Sequence, residues 1–240
     1  MIELYYAATP NGLKARLFLE EAGIPYRLVP VSLSKGEQFK PAFLAVSPNN
    51  KIPAIVDHEP ADGGAPLTMF ESGAIMLYLA EKTGRFVAAD LRGRVEVLQW
   101  LFWQMGGLGP MAGQNHHFSQ YAPEKLQYAI DRYVNETNRL YGVLDRRLAD
   151  RTFIAGDDYT IADMASYPWV LPEPQGQNIE DFPNLKRWKE AIAERPATKR
   201  AYEIGEQCRP SDQPQQITDE QRKVMFGQTA ASTAPASAKV

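Results

Sequence analysis

The sequence predicts two classes of structure joined end to end: an α/β unit over residues 1–84, then an all-helical unit over 91–208, with a flexible tail at 211–240. Three observations carry this. Strand-like runs occur only within the first 84 residues, and helical patterns separate them. From Asp90 onward apolar residues recur only at helical spacing. Beyond Ser211 the chain turns polar, and Ala230 to Val240 is small-residue low complexity, a composition that buries too little apolar surface to order itself.

Ile2 to Tyr6 reads as the first strand, and Ala8-Thr9-Pro10-Asn11-Gly12 is dense in turn formers. Leu13, Arg16, Leu17 and Leu19 then line a helix that stops near Gly23. Tyr26 to Val31 is the second strand. A strand, a helix and a strand within about thirty residues have the size of a βαβ unit. A short helix is expected over 38–45. After Ser47-Pro48-Asn49-Asn50, Ile52 to Asp57 forms a third strand. The Asp62-Gly63-Gly64 turn brings Leu67 to Phe70 back as a fourth, antiparallel to it. Glu71-Ser72 opens a helix through Leu79 and Lys82 that Gly84 stops. The order βαβ, helix, ββα is that of a thioredoxin-like domain, a small mixed sheet with helices on its faces.

The second half begins with Leu91, Val95, Leu98, Leu101, Phe102 and Met105 at helical spacing, and 124–149 is a long amphipathic run. Between them, Gly106 to Pro110 is expected to bend or interrupt the helix. Thr160-Ile161-Ala162-Asp163 starts another helix with a capping-box-like pattern, which gives Asp163 a structural part. Pro183 to Ala193 holds a further helix, and a final one follows Pro196. The stretch Trp169 to Gly176 is richer in turn formers than its surroundings.

Composition narrows the function classes. With a net charge of -3 and a pI near 5.7, the chain lacks the basic excess of a nucleic-acid binder. No apolar stretch approaches the roughly 20 residues that span a bilayer, and no basic flank or cleavage pattern marks a signal peptide. The single cysteine, Cys208, follows the last clear helical pattern and permits no internal disulfide; a reducing, cytoplasmic setting fits. Any thiol chemistry is therefore expected to use a borrowed thiol. His116 and His117 are adjacent, point different ways on a helix and lack further ligands, so no metal is expected. Gly106 to Gly109 lacks the Gly-Lys-Ser/Thr ending of a phosphate loop. Trp100, Phe102 and Trp103 suit a core and a subunit interface.

Polar residues at the ends of the first unit's elements carry the chemical signal. Pro53 lies at a strand start. A cis bond there would turn the Ile52 backbone outward to pair with an extended peptide ligand, and an ordinary strand-starting proline is the plain alternative. Ser72 suits an N-cap, and the first N–H groups of its helix attract a carboxylate, although capping serines are common. Thr9 to Gly12 opens the first helix. A thiol at such an N-terminus is favoured as thiolate, its pKa falling below the free value of about 8.5. Thr9 and Asn11 carry hydrogens to donate to that sulfur, although on the residues alone simple capping is the stronger account of them.

Taken together, Tyr5 to Lys14, Ser47 to His58, Phe70 to Ile75 and Tyr159 to Asp163 resemble the glutathione transferase superfamily, over about residues 1–205. Thr9-Pro10-Asn11-Gly12, with Gln99 to Met111 and Gln114 to Phe118, looks like the nu class, known for glutathione-dependent disulfide-bond reductase activity. The resemblance implies an N-terminal thioredoxin-like domain that binds glutathione, an all-helical C-terminal domain and a homodimer. It implies that Glu71 and Ser72 hold the γ-glutamyl end and that Ile52, beside Pro53, pairs with the cysteinyl amide. Lys51 and Gln38 are implied at the glycine carboxylate, Thr9 and Asn11 at the sulfur. Nu-class sites bind two glutathione molecules or their oxidised disulfide, and Arg132 is implied at the second, where an arginine fork suits a carboxylate.

Two other readings stay open at this level. The same thiolate attacking a small electrophile would make a conjugating transferase, a reading kept alive by Tyr5, Tyr6 and the 171–180 loop. A non-catalytic glutathione-binding or interaction module is the third, and the set Thr9, Asn11, Lys51, Glu71 and Ser72 speaks against it. The physiological disulfide is not written in the sequence.

Overall fold

The computed structural model describes residues 1–207 and 217–230. Packing divides the chain into two units, Met1–Ile75 with Ala201–Val240, and Met76–Arg200. Cys208 and the tail beyond Ala230 lie outside the described residues.

In the first unit the elements are β1 (Ile2–Tyr6), α1 (Pro10–Ala22), β2 (Tyr26–Pro30), α2 (Pro41–Leu44), β3 (Ala54–Asp57) and β4 (Leu67–Phe70). They form a four-stranded sheet of order β2-β1-β3-β4, with β1 and β2 parallel and β3 antiparallel to both its neighbours. This is the thioredoxin-like sheet that the strand order predicts. Side chains alternate along β1, burying Ile2, Leu4 and Tyr6. The residues between, together with β3, build a small core in which Val46, Ala54 and Val56 pack with Tyr5, and Tyr5 meets Phe43 edge-on at 5.9 Å.

α1 packs against β1 and is punctuated at both ends. Thr9 caps it, Pro10 takes the first helical position where a missing N–H costs nothing, and Gly23 ends it at φ 67. Gly23 and Ile24 return their N–H groups to Glu20 and Leu19, the double bond that closes a left-handed helix end. The helix thus starts at Pro10, inside the stretch that reads as a turn. The expected helix over 38–45 is split into a 3-10 turn at Glu37–Phe39 and α2, because Lys40 is extended ahead of Pro41.

α3 (Ser72–Thr83) crosses the division between the units. In the second unit follow α4 (Leu91–Trp103), α5 (Gly109–His116), α6 (Gln127–Arg147), α7 (Ile161–Ser166) and α8 (Pro183–Ala193), with α9 (Pro196–Gln207) leading back to the first. At the bend or interruption expected over Gly106–Pro110 the α-helix is interrupted by a change of winding, but the chain stays helical. Gln104–Leu108 widens to a π turn, and the chain continues helical through α5 to a second π turn at His117–Tyr121. Gln104, Leu108 and Ala112 are fully buried along this run, so packing keeps the glycines helical.

Residues 217–230 correct the expectation of a loose tail. Asp219–Phe226 forms a helix, α10, opened by a capping box in which Thr218 and Gln221 satisfy each other's backbone N–H groups. It packs on the 3-10 turn Leu33–Lys35 of the first unit. No described helix is long and apolar enough to cross a membrane.

Candidate active site

Sheet register decides where the candidate residues fall. Tyr5 pairs with Ala54, and Ala54 with Phe70. Because β3 runs opposite to both neighbours, the C-terminal ends of β1 and β4 share one end of the sheet with the N-terminal end of β3. The segments continuing the three strands there are the turn to Thr9, the Ile52-Pro53 peptide, and Glu71-Ser72. Both α1 and α3 begin at this end, so their partly positive N-termini lie at the same edge.

The first segment is a tight entry into α1. Thr9 donates its N–H to the Ala7 carbonyl at 2.7 Å, and its hydroxyl accepts from Gly12 N–H at 3.2 Å. A Cβ on Gly12 would lie 2.3 Å from the Ala7 oxygen, so only glycine permits this approach. Asn11 stands half-buried in the first turn. Deeper in the same helix, Lys14 is only 2% exposed. Burial pushes its ammonium down to about 7, against the opposing pull of the Glu71 carboxylate.

The second segment is the loop into β3. Asn50 takes φ 48, a left-handed value that asparagine tolerates, and donates its N–H to Ser47 at 2.9 Å. Ser47 in turn donates its hydroxyl to the Lys51 carbonyl at 2.8 Å. The Ile52-Pro53 bond is cis; Pro53 is buried, Ile52 is half-buried, and strand pairing begins only at Ala54.

At the third segment Glu71 is exposed and holds φ 71, where a residue with a Cβ is strained by roughly 1–2 kcal/mol. Ile75 donates its N–H to the Glu71 carbonyl at 2.9 Å, so Glu71 occupies the capping position and Ser72 is the first helical residue. Ser72, read from the sequence as the cap, sits one place further in because the left-handed turn at Glu71 starts the helix early; its side chain is buried. Asn49 donates to the Glu71 carboxylate at 3.3 Å, tying the second segment to the third.

Thr9, Asn11, Ile52, Pro53, Glu71 and Ser72 are thus brought to one end of the sheet. Lys51 borders them, exposed, with its ammonium 3.4 Å from the side-chain oxygen (Oε1) of Gln228. Gln38 is different: it is 2% exposed and donates its amide to the Leu33 carbonyl at 3.2 Å, holding its own loop. Arg132 belongs to the second unit, exposed on α6 and 3.8 Å from Glu136. Asn49, Lys14 and Gln228 were not singled out by sequence reading. Lys14 left a signal, a charge inside the buried run of α1, whereas Gln228 is remote in sequence and polar among polar neighbours.

Asp163 is wholly buried and accepts from Ile154 N–H at 2.9 Å, Thr160 N–H at 3.0 Å and the Trp188 indole at 2.8 Å. Its capping box with Thr160 is formed, and its surroundings are structural. Among the described residues no cluster of His, Cys, Asp and Glu is placed to hold a metal.

Family models match both halves of the chain: the glutathione S-transferase N-terminal domain over residues 8–82 and the C-terminal domain over 104–196. The disulfide-bond oxidoreductase YfcG of Escherichia coli is 59% identical over 202 residues, covering 84% of this chain and 94% of that protein. YghU, a second disulfide-bond oxidoreductase of the same organism, is 42% identical, covering 83% of this chain and 73% of its own. Among solved structures, a glutathione transferase family member from Pseudomonas fluorescens with two glutathione bound superposes with a TM-score of 0.79 at 46% identity, covering 83% of this chain and 91% of its own. One from Pseudomonas putida, with one glutathione disulfide bound per subunit, gives 0.80 at 43%, covering 85% and 91%.

Proposed function

The chain belongs to the glutathione S-transferase family, and on that premise we propose that it is a glutathione-dependent disulfide-bond oxidoreductase whose reacting thiol comes from bound glutathione. The observation that carries this reading is the meeting of Thr9-Asn11, Ile52-Pro53 and Glu71-Ser72 at one sheet end, beside two helix N-termini.

Each segment suits one part of the tripeptide. The Glu71 carboxylate pairs with the γ-glutamyl amine, while Ser72 and the first N–H groups of α3 take its carboxylate. The Ile52 backbone, ahead of the first paired residue of β3, serves the cysteinyl amide as an added strand would. Lys51 takes the glycine carboxylate; Gln38, implied there by the resemblance, donates its amide to the Leu33 carbonyl and holds its own loop. That leaves the sulfur at the start of α1, where Thr9 and Asn11 donate hydrogen bonds and the helix N-terminus favours the thiolate. Arg132 is assigned to the carboxylate of a second glutathione.

The reaction is thiol–disulfide exchange. The first thiolate attacks one sulfur of the substrate disulfide; the S–S bond breaks, and the departing thiolate takes a proton. A second glutathione thiolate then attacks the mixed disulfide, releasing the other substrate thiol and oxidised glutathione. Two glutathione thiols supply the two electrons, and no cysteine of the chain takes part. A pool of reduced glutathione makes the cytoplasm the fitting compartment. The apolar stripe of Leu91, Val95 and Phe102 on α4, exposed by 77%, 53% and 64%, supports assembly as a homodimer.

Asn11→Ala tests the sulfur site. Reduction of hydroxyethyl disulfide by glutathione is expected to fall at least about tenfold in kcat, on the order of 1.4 kcal/mol of lost transition-state stabilisation. Unchanged turnover in a folded variant would remove Asn11 from the chemistry.

A further inference from the structure

Lys51 and Asn50 already share an acceptor. The side-chain oxygen of Gln228 (Oε1) accepts from the Asn50 side-chain amide at 2.9 Å and lies 3.4 Å from the Lys51 ammonium. Its orientation is fixed from behind, because the Gln228 amide nitrogen donates to the Val224 and Met225 carbonyls at 3.3 and 3.2 Å. The end of α10 therefore spends the donor half of this side chain and presents only the acceptor half. α10 itself is seated on the Leu33–Lys35 turn, with Val224 against Gly36: a Cβ there would stand 3.6 Å from the valine methyl. An oxygen acceptor held against one ammonium and one amide N–H is what a carboxylate would offer these two donors.

We infer that Gln228, carried by α10, is a tethered occupant of the subsite for the glycine carboxylate of glutathione, and that glutathione displaces it to engage Lys51. The inference rests on the proposed function, which gives Lys51 that carboxylate. Gln228 is then a specificity-determining residue: it weakens every ligand that must reach Lys51 and leaves untouched a thiol that stops short of it.

Calorimetric titration of the full chain tests this with two ligands, glutathione and γ-glutamylcysteine, which lacks the glycine. Gln228→Ala is expected to bind glutathione about fivefold more tightly, the equivalent of the ~1 kcal/mol net worth of one hydrogen bond. Gln228→Glu, which turns the neutral acceptor into a charged one, is expected to bind it more weakly than the native chain. γ-Glutamylcysteine is expected to bind all three alike. In a Lys51→Ala background the gain from Gln228→Ala disappears, since the two residues act as a pair. Unchanged or weaker glutathione binding by Gln228→Ala, or a parallel shift for γ-glutamylcysteine, overturns the inference and leaves the functional reading standing. Failure of the native chain and all variants to bind glutathione overturns both.

Discussion

Lys14 shows how a single side chain couples the site to stability. It is buried in α1, and its ammonium is brought down from 10.5 to about 7 by that burial. In the unfolded chain it keeps its ordinary value, so between about pH 7 and 10.5 the folded state binds fewer protons than the unfolded one, and stability rises with pH. The cost of burying the charge is fully present below pH 7 and fades as pH rises toward 10.5. At about 1.4 kcal/mol per pH unit, the whole cost is on the order of 5 kcal/mol. Lys14→Met removes it. Denaturant unfolding at pH 6 and pH 9 is expected to show the native chain gaining on the order of 2 kcal/mol relative to the variant across that interval. Equal slopes in the two proteins would mean that Lys14 is not held as a strained cation. At this scale the sequence was legible where chemistry is local: Thr9 caps α1 as its type predicts, and Glu71-Ser72 opens α3, with Glu71 in the capping position read for Ser72. The pull of the Glu71 carboxylate on the Lys14 ammonium, and the bond from Asn49 to Glu71, depend on sheet register and leave no local trace.

Elements in the second unit are held by buried polar groups more than their sequences announce. Asp163 illustrates the case that was legible: Thr160 and Asp163 form the capping box that their spacing predicts, and the same carboxylate also takes the Trp188 indole. Asp163→Ala strips the acceptor from four buried donors, the Ile154 and Thr160 N–H groups, the Thr160 hydroxyl and the Trp188 indole, and is expected to cost about 3–5 kcal/mol. Trp188→Phe, which removes only one of those bonds, is expected to cost distinctly less; equal losses in thermal unfolding would contradict this reading. The turn-rich stretch after α7 is likewise pinned. Gln175, fully buried, accepts from the Tyr141 hydroxyl at 2.6 Å and donates to the Trp169 carbonyl at 3.0 Å, while Asn115 bridges Thr137 and the Gln175 backbone, both at 3.0 Å. No local pattern spells that network. The start of α8 at Pro183 was legible, but its capping was not: Asp145 of α6 accepts from the N–H groups of Asn184 and Leu185 at 2.8 and 3.0 Å in place of a local cap. Gly106 to Pro110 is read in part: the α-helix is interrupted there, but by a π turn, and burial of Gln104 and Leu108 keeps the chain helical.

At the scale of the whole molecule, the class of each half was readable because strand periodicity is confined to the first unit, alternating there with helices, while the second carries only helical spacing. The last described residues were not. Thr218 and Gln221 carry a capping-box signature, yet α10 lies in a stretch whose polar composition reads as tail, and only its seat on the Leu33–Lys35 turn makes it an element. Assembly is a second property of this scale. With Leu91, Val95 and Phe102 exposed along one face of α4, the proposed homodimer predicts that Phe102→Glu shifts sedimentation from dimer to monomer; a dimer of unchanged stability would place the interface elsewhere. The central claim concerns what the bound thiolate attacks. Its most direct test is to follow, in one preparation, glutathione-dependent reduction of hydroxyethyl disulfide coupled to NADPH consumption, beside conjugation of glutathione to a chloro-dinitrobenzene. Strong reduction with feeble conjugation is the expected result. Strong conjugation with feeble reduction would contradict the account and make the chain a conjugating transferase.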